Sequence, residues 1–109
     1  MHQLTITIGR GASDAPNYID DAARWLEFQS DADALVRRHG YEIVGQWWGV
    51  GIWEGKAEQN YHVGGVASRA QAVGVLVREV GELAHVYNQD AIALGTGTSV
   101  LVDREGNIS

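Results

Sequence analysis

A glycine-flanked arginine, Gly9-Arg10-Gly11, lies between a predicted strand and a predicted helix. Backbone amides in such a loop can face an anion, and a guanidinium can add a bidentate contact to a phosphate or a carboxylate. The segment matches neither the Walker A loop nor the G-x-G-x-x-G fingerprint, so a plain turn with a solvated arginine is the alternative. We predict that Gly9, Arg10 and Gly11 hold the negative group of a small ligand.

Three of the four tryptophans lie in one short segment, Trp47-Trp48-Gly49-Val50-Gly51-Ile52-Trp53. Broad aromatic rings beside bare glycine backbone suit a flat ligand, a partner surface or a closely packed helix. We predict that Trp47 and Trp53 stack on the ring of a ligand. Packing against a second subunit is the alternative.

The segment Gly95-Thr96-Gly97-Thr98 places hydroxyl groups and glycine backbone between two predicted strand segments. Thr96 and Thr98 could therefore line a pocket and hydrogen-bond a ligand, and we include them in the predicted ligand-binding site. Glycine-threonine pairs are equally usual in a kinked strand.

Glu54, Glu58 and His62 recur at intervals of four residues. They would form a metal site if a hairpin folded them together, and Glu54 beside Trp53 could act as an acid or a base. A charged, solvent-facing hairpin explains the same spacing. The serines lie in no nucleophile-elbow motif. We therefore predict no catalytic residue, no metal and no cofactor.

Composition limits the class of protein. The 109 residues fit one domain, residues 1–109, and no cysteine is present, so disulfides, thiolate zinc sites and a cysteine nucleophile are excluded. The formal net charge is −6 and the eight cations are scattered, which argues against binding to duplex nucleic acid. No signal-peptide pattern and no apolar run of membrane-spanning length is visible, which predicts a cytoplasmic protein without a membrane partner.

Hydrophobic periodicity predicts two helices and several strands. Apolar residues alternate at the start of the chain, and residues 18–39 have apolar positions at helical spacing. An extended segment over 41–53, whose glycines predict a bulge or bend, leads through a turn at 54–59 to a strand at 60–66. Ser68 has the position of a helix N-cap with Gln71 three residues later, and this helix should run to about Tyr87. Short strands follow at 91–94 and 99–102.

The resulting order, β-α-β-β-α-β with an extra terminal strand, predicts a ferredoxin-like α+β fold with both helices on one face of an antiparallel sheet. Along the second strand, Tyr41, Ile43, Trp47 and Trp53 alternate with an equally apolar set. We therefore expect the sheet face away from the helices to be covered by a second subunit or by a ligand, and we predict a homo-oligomer.

Three segments resemble a family of small proteins from actinobacteria and their phages that carries no assigned activity. They are Thr5-Ile6-Thr7-Ile8-Gly9-Arg10, Gly49-Val50-Gly51-Ile52-Trp53-Glu54-Gly55 and Asn88-Gln89-Asp90-Ala91-Ile92-Ala93-Leu94. The resemblance implies a phage accessory protein. Small phage proteins that oppose host defence bind and sequester nucleotide signals or block an enzyme, which is an argument from a class of proteins and not from a site.

The lead hypothesis is a non-enzymatic protein that binds a small anionic, nucleotide-like ligand, such as a host signalling nucleotide, and works as a symmetric oligomer. One alternative is a protein-interaction module that inhibits a host enzyme through the open sheet face or the hairpin. The other is a small ferredoxin-like enzyme that uses Glu54 or His62.

Overall fold

The computed structural model describes residues 2–69, 72–96 and 99–108, and the side chains of these residues except those of 53 and 99–101. The elements along the chain are β1 (His2–Gly9), α1 (Ala22–Arg38), β2 (Glu42–Trp53), β3 (Lys56–Ala67), α2 (Val73–Val86), β4 (Ala91–Gly95) and β5 (Ser99–Asp103). All strand pairs are antiparallel, in the order β2-β3-β1-β4-β5. This is the predicted ferredoxin-like fold, with β5 as the extra edge strand. Neither described helix is long and apolar enough to cross a membrane.

One core joins the two helices to one face of the sheet. Alternate residues of β1 and β4 point into it, and both helices contribute buried side chains: Leu4, Ile6, Ile8, Ile92 and Leu94 from these strands, Phe28, Ala32 and Val36 from α1, and Leu76, Val80 and Ala84 from α2. The opposite set of strand residues lies on the other side, which we call the open face. Thr5, Thr7 and Gly9 of β1 belong to it.

The helix boundaries differ from the predicted ones at both N-termini. Helix α1 begins after Asp21, whose Oδ1 accepts a hydrogen bond from the Ala23 amide at 2.9 Å, four residues later than predicted. The prediction of Ser68 as the N-cap of α2 was wrong, because Ala72 holds that position. Pairing of β3 with β1 keeps the chain extended as far as Ala67, opposite His2, and α2 begins only after Ala72. Residues 70 and 71 of the predicted capping box lie outside the described residues.

The β2–β3 hairpin is longer and its turn shorter than predicted. The turn contains only Glu54 and Gly55, both with positive φ, at 50° and 78°. Positive φ at both central residues is the geometry of a two-residue turn that continues the twist of its strands. Residues 56–59, predicted as part of the turn, therefore belong to β3, and Lys56 pairs with Trp53.

A bulge at Val44 determines which face each residue of β2 occupies. The pairing with β3 skips Val44 between Ile43 and Gly45. A bulge was predicted at one of the glycines, but the prediction that Trp47 shares a face with Tyr41 and Ile43 was wrong, because the extra residue reverses the alternation. Tyr41 is buried in the core, whereas the Trp47 ring stacks on His62 on the open face.

The glycines of this segment make room for two side chains on the open face. A Cβ at Gly45 or Gly64 would lie 3.3 or 3.5 Å from the Trp47 ring. A Cβ at Gly49 or Gly51 would lie 3.1 or 2.7 Å from the Asn60 amide. The alternation of glycine with aromatic residues thus lets Trp47 and Asn60 lie flat across the neighbouring backbone.

Two glycines of α2 allow a matched test of how closely this helix packs against the C-terminal turn. A Cβ at Gly81 would lie 2.6 Å from the backbone of Gly106, whereas no described atom lies within 4 Å of a Cβ at Gly74. We expect Gly81→Ala to lower the free energy of unfolding by about 1–3 kcal/mol through overpacking. Gly74→Ala should raise it by about 0.4–1 kcal/mol, because the unfolded chain loses conformational freedom. Urea unfolding measures both, and equal effects would contradict the close approach of α2 to the C-terminal turn.

Candidate ligand-binding site

Two adjoining cavities open at one end of the open face, and together we call them the cleft. The inner cavity has a volume of about 140 Å³ and the outer cavity about 430 Å³. Asn17, Glu58 and Asp90 line both. The remaining lining residues are Thr7, Gly9, Asn60, Gln89, Ala91 and Ala93 in the inner cavity, and Gly11, Ala12, Asp14, Ala15, Pro16, Glu54, Lys56 and Asn88 in the outer one.

Small residues form the floor of the inner cavity. Thr7 of β1 lies opposite Ala93 of β4, and Gly9 and Ala91 follow on the same face of the two strands. Larger side chains stand on either side, Asn60 and Glu58 from β3 and Asn17 from the loop before α1. The floor is therefore flat and weakly polar, and its borders can hydrogen-bond.

The loop before α1 is fastened to the loop before β4 by a pair of amides. The Gln89 side chain is buried, and its Nε2 donates to the Asn17 and Tyr87 carbonyls at 2.9 and 3.0 Å. Its Oε1 accepts from Asn17 Nδ2 at 3.2 Å. This reciprocal contact fixes the wall of the cleft that the sheet does not supply.

Glu58 is the central ionisable group of the cleft. Its Oε2 accepts a hydrogen bond from the Gly11 amide at 3.0 Å, and a Cβ at Gly9 would lie only 2.6 Å from Oε1. Burial raises the pKa of the Glu58 carboxyl, and this effect outweighs the opposing hydrogen bond from Gly11. No salt bridge to Glu58 occurs within the described part of the chain.

The lining of the cleft is acidic. Four carboxylates against one ammonium give a formal charge of −4 + 1 = −3 over the lining residues, from Asp14, Glu54, Glu58, Asp90 and Lys56. The Lys56 ammonium already donates to Asp14 at 2.6 Å, which lowers the pKa of that carboxyl. The surplus negative charge comes from Glu54, Glu58 and Asp90, so the cleft attracts cations and repels phosphates.

A second polar group lies beside the inner cavity on the open face. His62 Nδ1 is 2.8 Å from the Thr7 hydroxyl, and its ring stacks on Trp47 with 5.2 Å between centroids and 8° between planes. Burial lowers the pKa of His62, which favours the neutral imidazole. Among the described residues, no three histidine, aspartate or glutamate side chains come together as a metal site would require.

No protein-family model and no curated protein sequence matches the chain. Two solved structures match its fold. The first, a phage SAM lyase in its apo state, superposes with a TM-score of 0.50 at 16% sequence identity over 99% of this chain and 83% of that one. The second, a phage SAM lyase in complex with S-methyl-5′-thioadenosine, has a TM-score of 0.46 at 16% identity over 99% and 84% of the two chains.

In fold, the chain is similar to a phage SAM lyase.

Of the predicted Gly9-Arg10-Gly11 site, the two glycines line the cleft and the arginine does not. The Arg10 guanidinium donates to the Ile19 carbonyl at 2.6 Å, to the Gln59 side chain at 3.0 Å and to the Asp20 carbonyl at 3.2 Å. These bonds hold the loop before α1 against the beginning of β3. The Gly11 amide, predicted to hold an anion, already donates to the Glu58 carboxylate.

Trp47 and Thr96, the two other predicted ligand-binding residues whose side chains the structure describes, do not line the cleft. Trp47 lies on the open face beyond His62 and lines neither cavity. Thr96 is exposed beyond the far end of β4, roughly 17 Å from Ala91 at the usual rise of a strand. Thr98 and the side chain of Trp53 lie outside the described residues.

The sequence analysis missed Thr7 and Asn60 as cleft residues, and it considered Glu58 only as a metal ligand. A signal for two of them exists, because Glu58, Asn60 and His62 alternate with buried Tyr61 and Val63. The predicted strand began at residue 60, so the alternation was too short to show that Glu58 shares the open face with His62. Glu54, which the sequence analysis grouped with Glu58 and His62 as a candidate metal site, lies in the turn.

Proposed function

We propose that this protein binds S-adenosylmethionine (SAM) or a closely similar nucleoside with a positively charged side chain. The observation that carries the proposal is the acidic cleft around Glu58 on a floor of Thr7, Gly9, Ala91 and Ala93. SAM combines a flat adenine with a sulfonium, an ammonium and a carboxylate group, so its methionine part has a net positive charge. A small-residue floor suits the ring, and carboxylates suit the cations.

A cation explains this cleft better than the anion predicted from the sequence. Arg10 donates to two carbonyls of its own loop and to Gln59 of β3, and the Gly11 amide donates to Glu58. A phosphate would have to displace a carboxylate from Gly11 and approach Asp90 and Glu54. We therefore keep the nucleotide-like character of the ligand and propose a positive charge on it.

The fold neighbour supports the same ligand class. The protein with a TM-score of 0.50 is by its name a lyase of SAM. At 16% identity this likeness concerns the fold, so the proposal for this chain depends on its own lining residues. The amide side chains of Asn17, Asn60 and Gln89 stand at the borders of the inner cavity, where they could hydrogen-bond the edges of an adenine.

Calorimetric titration with three ligands tests the proposal. SAM should bind more tightly than S-adenosylhomocysteine, which lacks the sulfonium charge, and ATP should bind least, because phosphates meet the acidic lining. Tighter binding of ATP than of SAM would contradict the proposal, as would equal affinity for SAM and S-adenosylhomocysteine.

A second candidate function is catalysis on the same ligand. It is favoured by the raised pKa of Glu58, since carboxyl groups with a raised pKa in clefts serve as acids and bases. Under this proposal Glu58 has the role that the sequence analysis considered for Glu54 or His62. Mass spectrometry of SAM recovered after incubation separates the two functions. Intact SAM identifies a sequestering protein, and cleaved SAM identifies an enzyme.

We also propose that the chain self-associates through the outer part of β2. Trp48, Val50 and Ile52 form an apolar row on the helix side of the hairpin, with exposed fractions of 64%, 71% and 72%. Trp48 donates to Gln29 of α1 at 2.8 Å, and the row continues beyond this contact. β2 is the edge strand of the sheet and has no charged residue from 43 to 53. Charged residues and prolines keep exposed edge strands from pairing with another chain, and residues 43–53 contain neither.

Ile52→Asp should convert the oligomer to a monomer, because a charge would be buried in the paired edge. Sedimentation velocity measures the mass against the 11.8 kDa of one chain. Ile108→Asp is the control, since Ile108 is 54% exposed beside β5 at the opposite edge. A monomeric wild-type protein would contradict self-association and leave the row available to a host protein, the interaction module considered above.

A further inference from the structure

We infer that the Thr7 hydroxyl donates a hydrogen bond into the cleft, and that His62, oriented by Asn60, sets the direction of this donor. The direction of the Thr7 hydroxyl follows from the backbone of β2 and from four side chains, which are Asn60, His62, Trp47 and Thr7 itself. That a ligand acceptor meets the hydroxyl rests in addition on the proposed function.

The chain of bonds begins at the backbone of β2. Gly49 presents a carbonyl and Gly51 an amide to the side chain of Asn60 on the open face. Asn60 matches both groups when its Nδ2 donates to the Gly49 carbonyl at 3.2 Å and its Oδ1 accepts from the Gly51 amide at 3.2 Å, whereas the reverse orientation faces its oxygen with acceptors and its nitrogen with donors. The backbone therefore fixes which end of the Asn60 amide faces His62.

That end is the nitrogen. Asn60 Nδ2 lies 3.0 Å from His62 Nε2 and donates to it. An imidazole nitrogen that accepts a hydrogen bond carries no proton, so the neutral ring holds its proton on Nδ1. Stacking against Trp47 keeps the ring in this plane.

The proton on Nδ1 then determines the role of Thr7. His62 Nδ1 lies 2.8 Å from Thr7 Oγ1 and donates to it, so the hydroxyl oxygen already accepts. Its own proton meets no other acceptor among the described residues and is left for the inner cavity that Thr7 lines. A ring nitrogen or an oxygen of the bound nucleoside is the acceptor that this donor selects.

Imidazole NMR on the unliganded wild-type protein tests the direction without any ligand. Long-range ¹H–¹⁵N correlation should show His62 as the Nδ1–H tautomer. Asn60→Asp replaces the donor beside Nε2 by an acceptor and should place a proton on Nε2. Wild-type His62 as the Nε2–H tautomer would overturn the inference, because Nδ1 would then accept the Thr7 proton.

Calorimetry with SAM tests the role in binding. Thr7→Ser keeps the hydroxyl and should bind like the wild type, whereas Thr7→Val keeps the shape and should bind about tenfold more weakly. Equal affinity of Thr7→Val and the wild type would overturn the role in binding. Absence of SAM binding by the wild type would contradict the proposed function instead, and the tautomer would still decide the direction of the hydroxyl.

Discussion

Glu58→Gln is expected to weaken SAM binding by about 10- to 100-fold, which corresponds to about 1.4–2.7 kcal/mol. Glutamine has the shape of glutamate, and its carbonyl oxygen can still accept from the Gly11 amide, as Oε2 does now at 3.0 Å. The substitution therefore removes a charge and leaves the wall of the cleft in place. A charge-assisted contact is roughly twice as strong as a neutral one, so the loss should fall on the cationic part of the ligand.

A matched control separates the local charge from the net charge. Glu82→Gln removes the same formal charge from the exposed surface of α2, where Glu82 lies 4.0 Å from Arg78 and lines neither cavity. Its affinity for SAM should equal that of the wild type. Calorimetry at constant ionic strength compares the three proteins, and similar losses in both variants would contradict a direct role of Glu58.

The same carboxylate predicts how binding depends on pH. Because burial raises the pKa of Glu58, its negative charge is lost on acidification at a higher pH than that of an ordinary glutamate. Wild-type affinity for SAM should fall as the pH falls through this raised pKa, whereas Glu58→Gln should be insensitive over that range. Asp14 titrates below it, because Lys56 lowers its pKa.

Stability should change in the direction opposite to binding. A carboxyl whose pKa is higher in the folded than in the unfolded state stabilises the fold below its unfolded pKa, and this contribution is lost as the pH rises through its folded pKa. At neutral pH the charged form is therefore unfavourable to folding, and Glu58→Gln should unfold at an equal or higher temperature. Weaker binding by a protein that is no less stable would show that Glu58 is retained for the ligand.

Most of the fold was predictable because hydrophobic periodicity reports burial. The alternation of Leu4, Ile6 and Ile8 and the apolar stripe of α2 exist only because one face of each element meets the core. The bulge at Val44 was harder to place, since an extra residue leaves no trace in composition and several glycines nearby were equally suitable. The prediction of Ser68 as a cap failed: β3 runs to Ala67, which pairs with His2 65 residues earlier in the chain, and α2 begins only after Ala72.

The cleft was less predictable than the fold, because it depends on contacts between residues distant in the sequence. Gly9 and Gly11 were identified from their loop, but the group they accommodate is Glu58, 47 residues beyond Gly11. Arg10 has the residue type of an anion site, yet its partners lie in its own loop and near the beginning of β3. Residue type indicates what a side chain can bind, and only the fold determines whether its donors are already used.

Gly9→Ala should reduce SAM binding at least as much as Glu58→Gln, because the added methyl group would displace the Glu58 carboxylate. The new methyl would lie 2.6 Å from Glu58 Oε1, closer than any Cβ contact allows, so the carboxylate must leave its bond to Gly11. The methyl also covers the floor of the inner cavity, where a flat ring would lie. The cost to stability should stay small, since the flexible end of a side chain can move.

A double-mutant cycle on SAM affinity distinguishes the two effects of this methyl. If Gly9→Ala acts only by displacing the carboxylate, then adding it to Glu58→Gln removes nothing further, and the coupling free energy equals the loss of the single variant. If the methyl also excludes the ring from the floor, the double variant binds more weakly than either single one. Full additivity would mean that residues 9 and 58 act independently, and it would contradict a cleft in which Gly9 exists to accommodate Glu58.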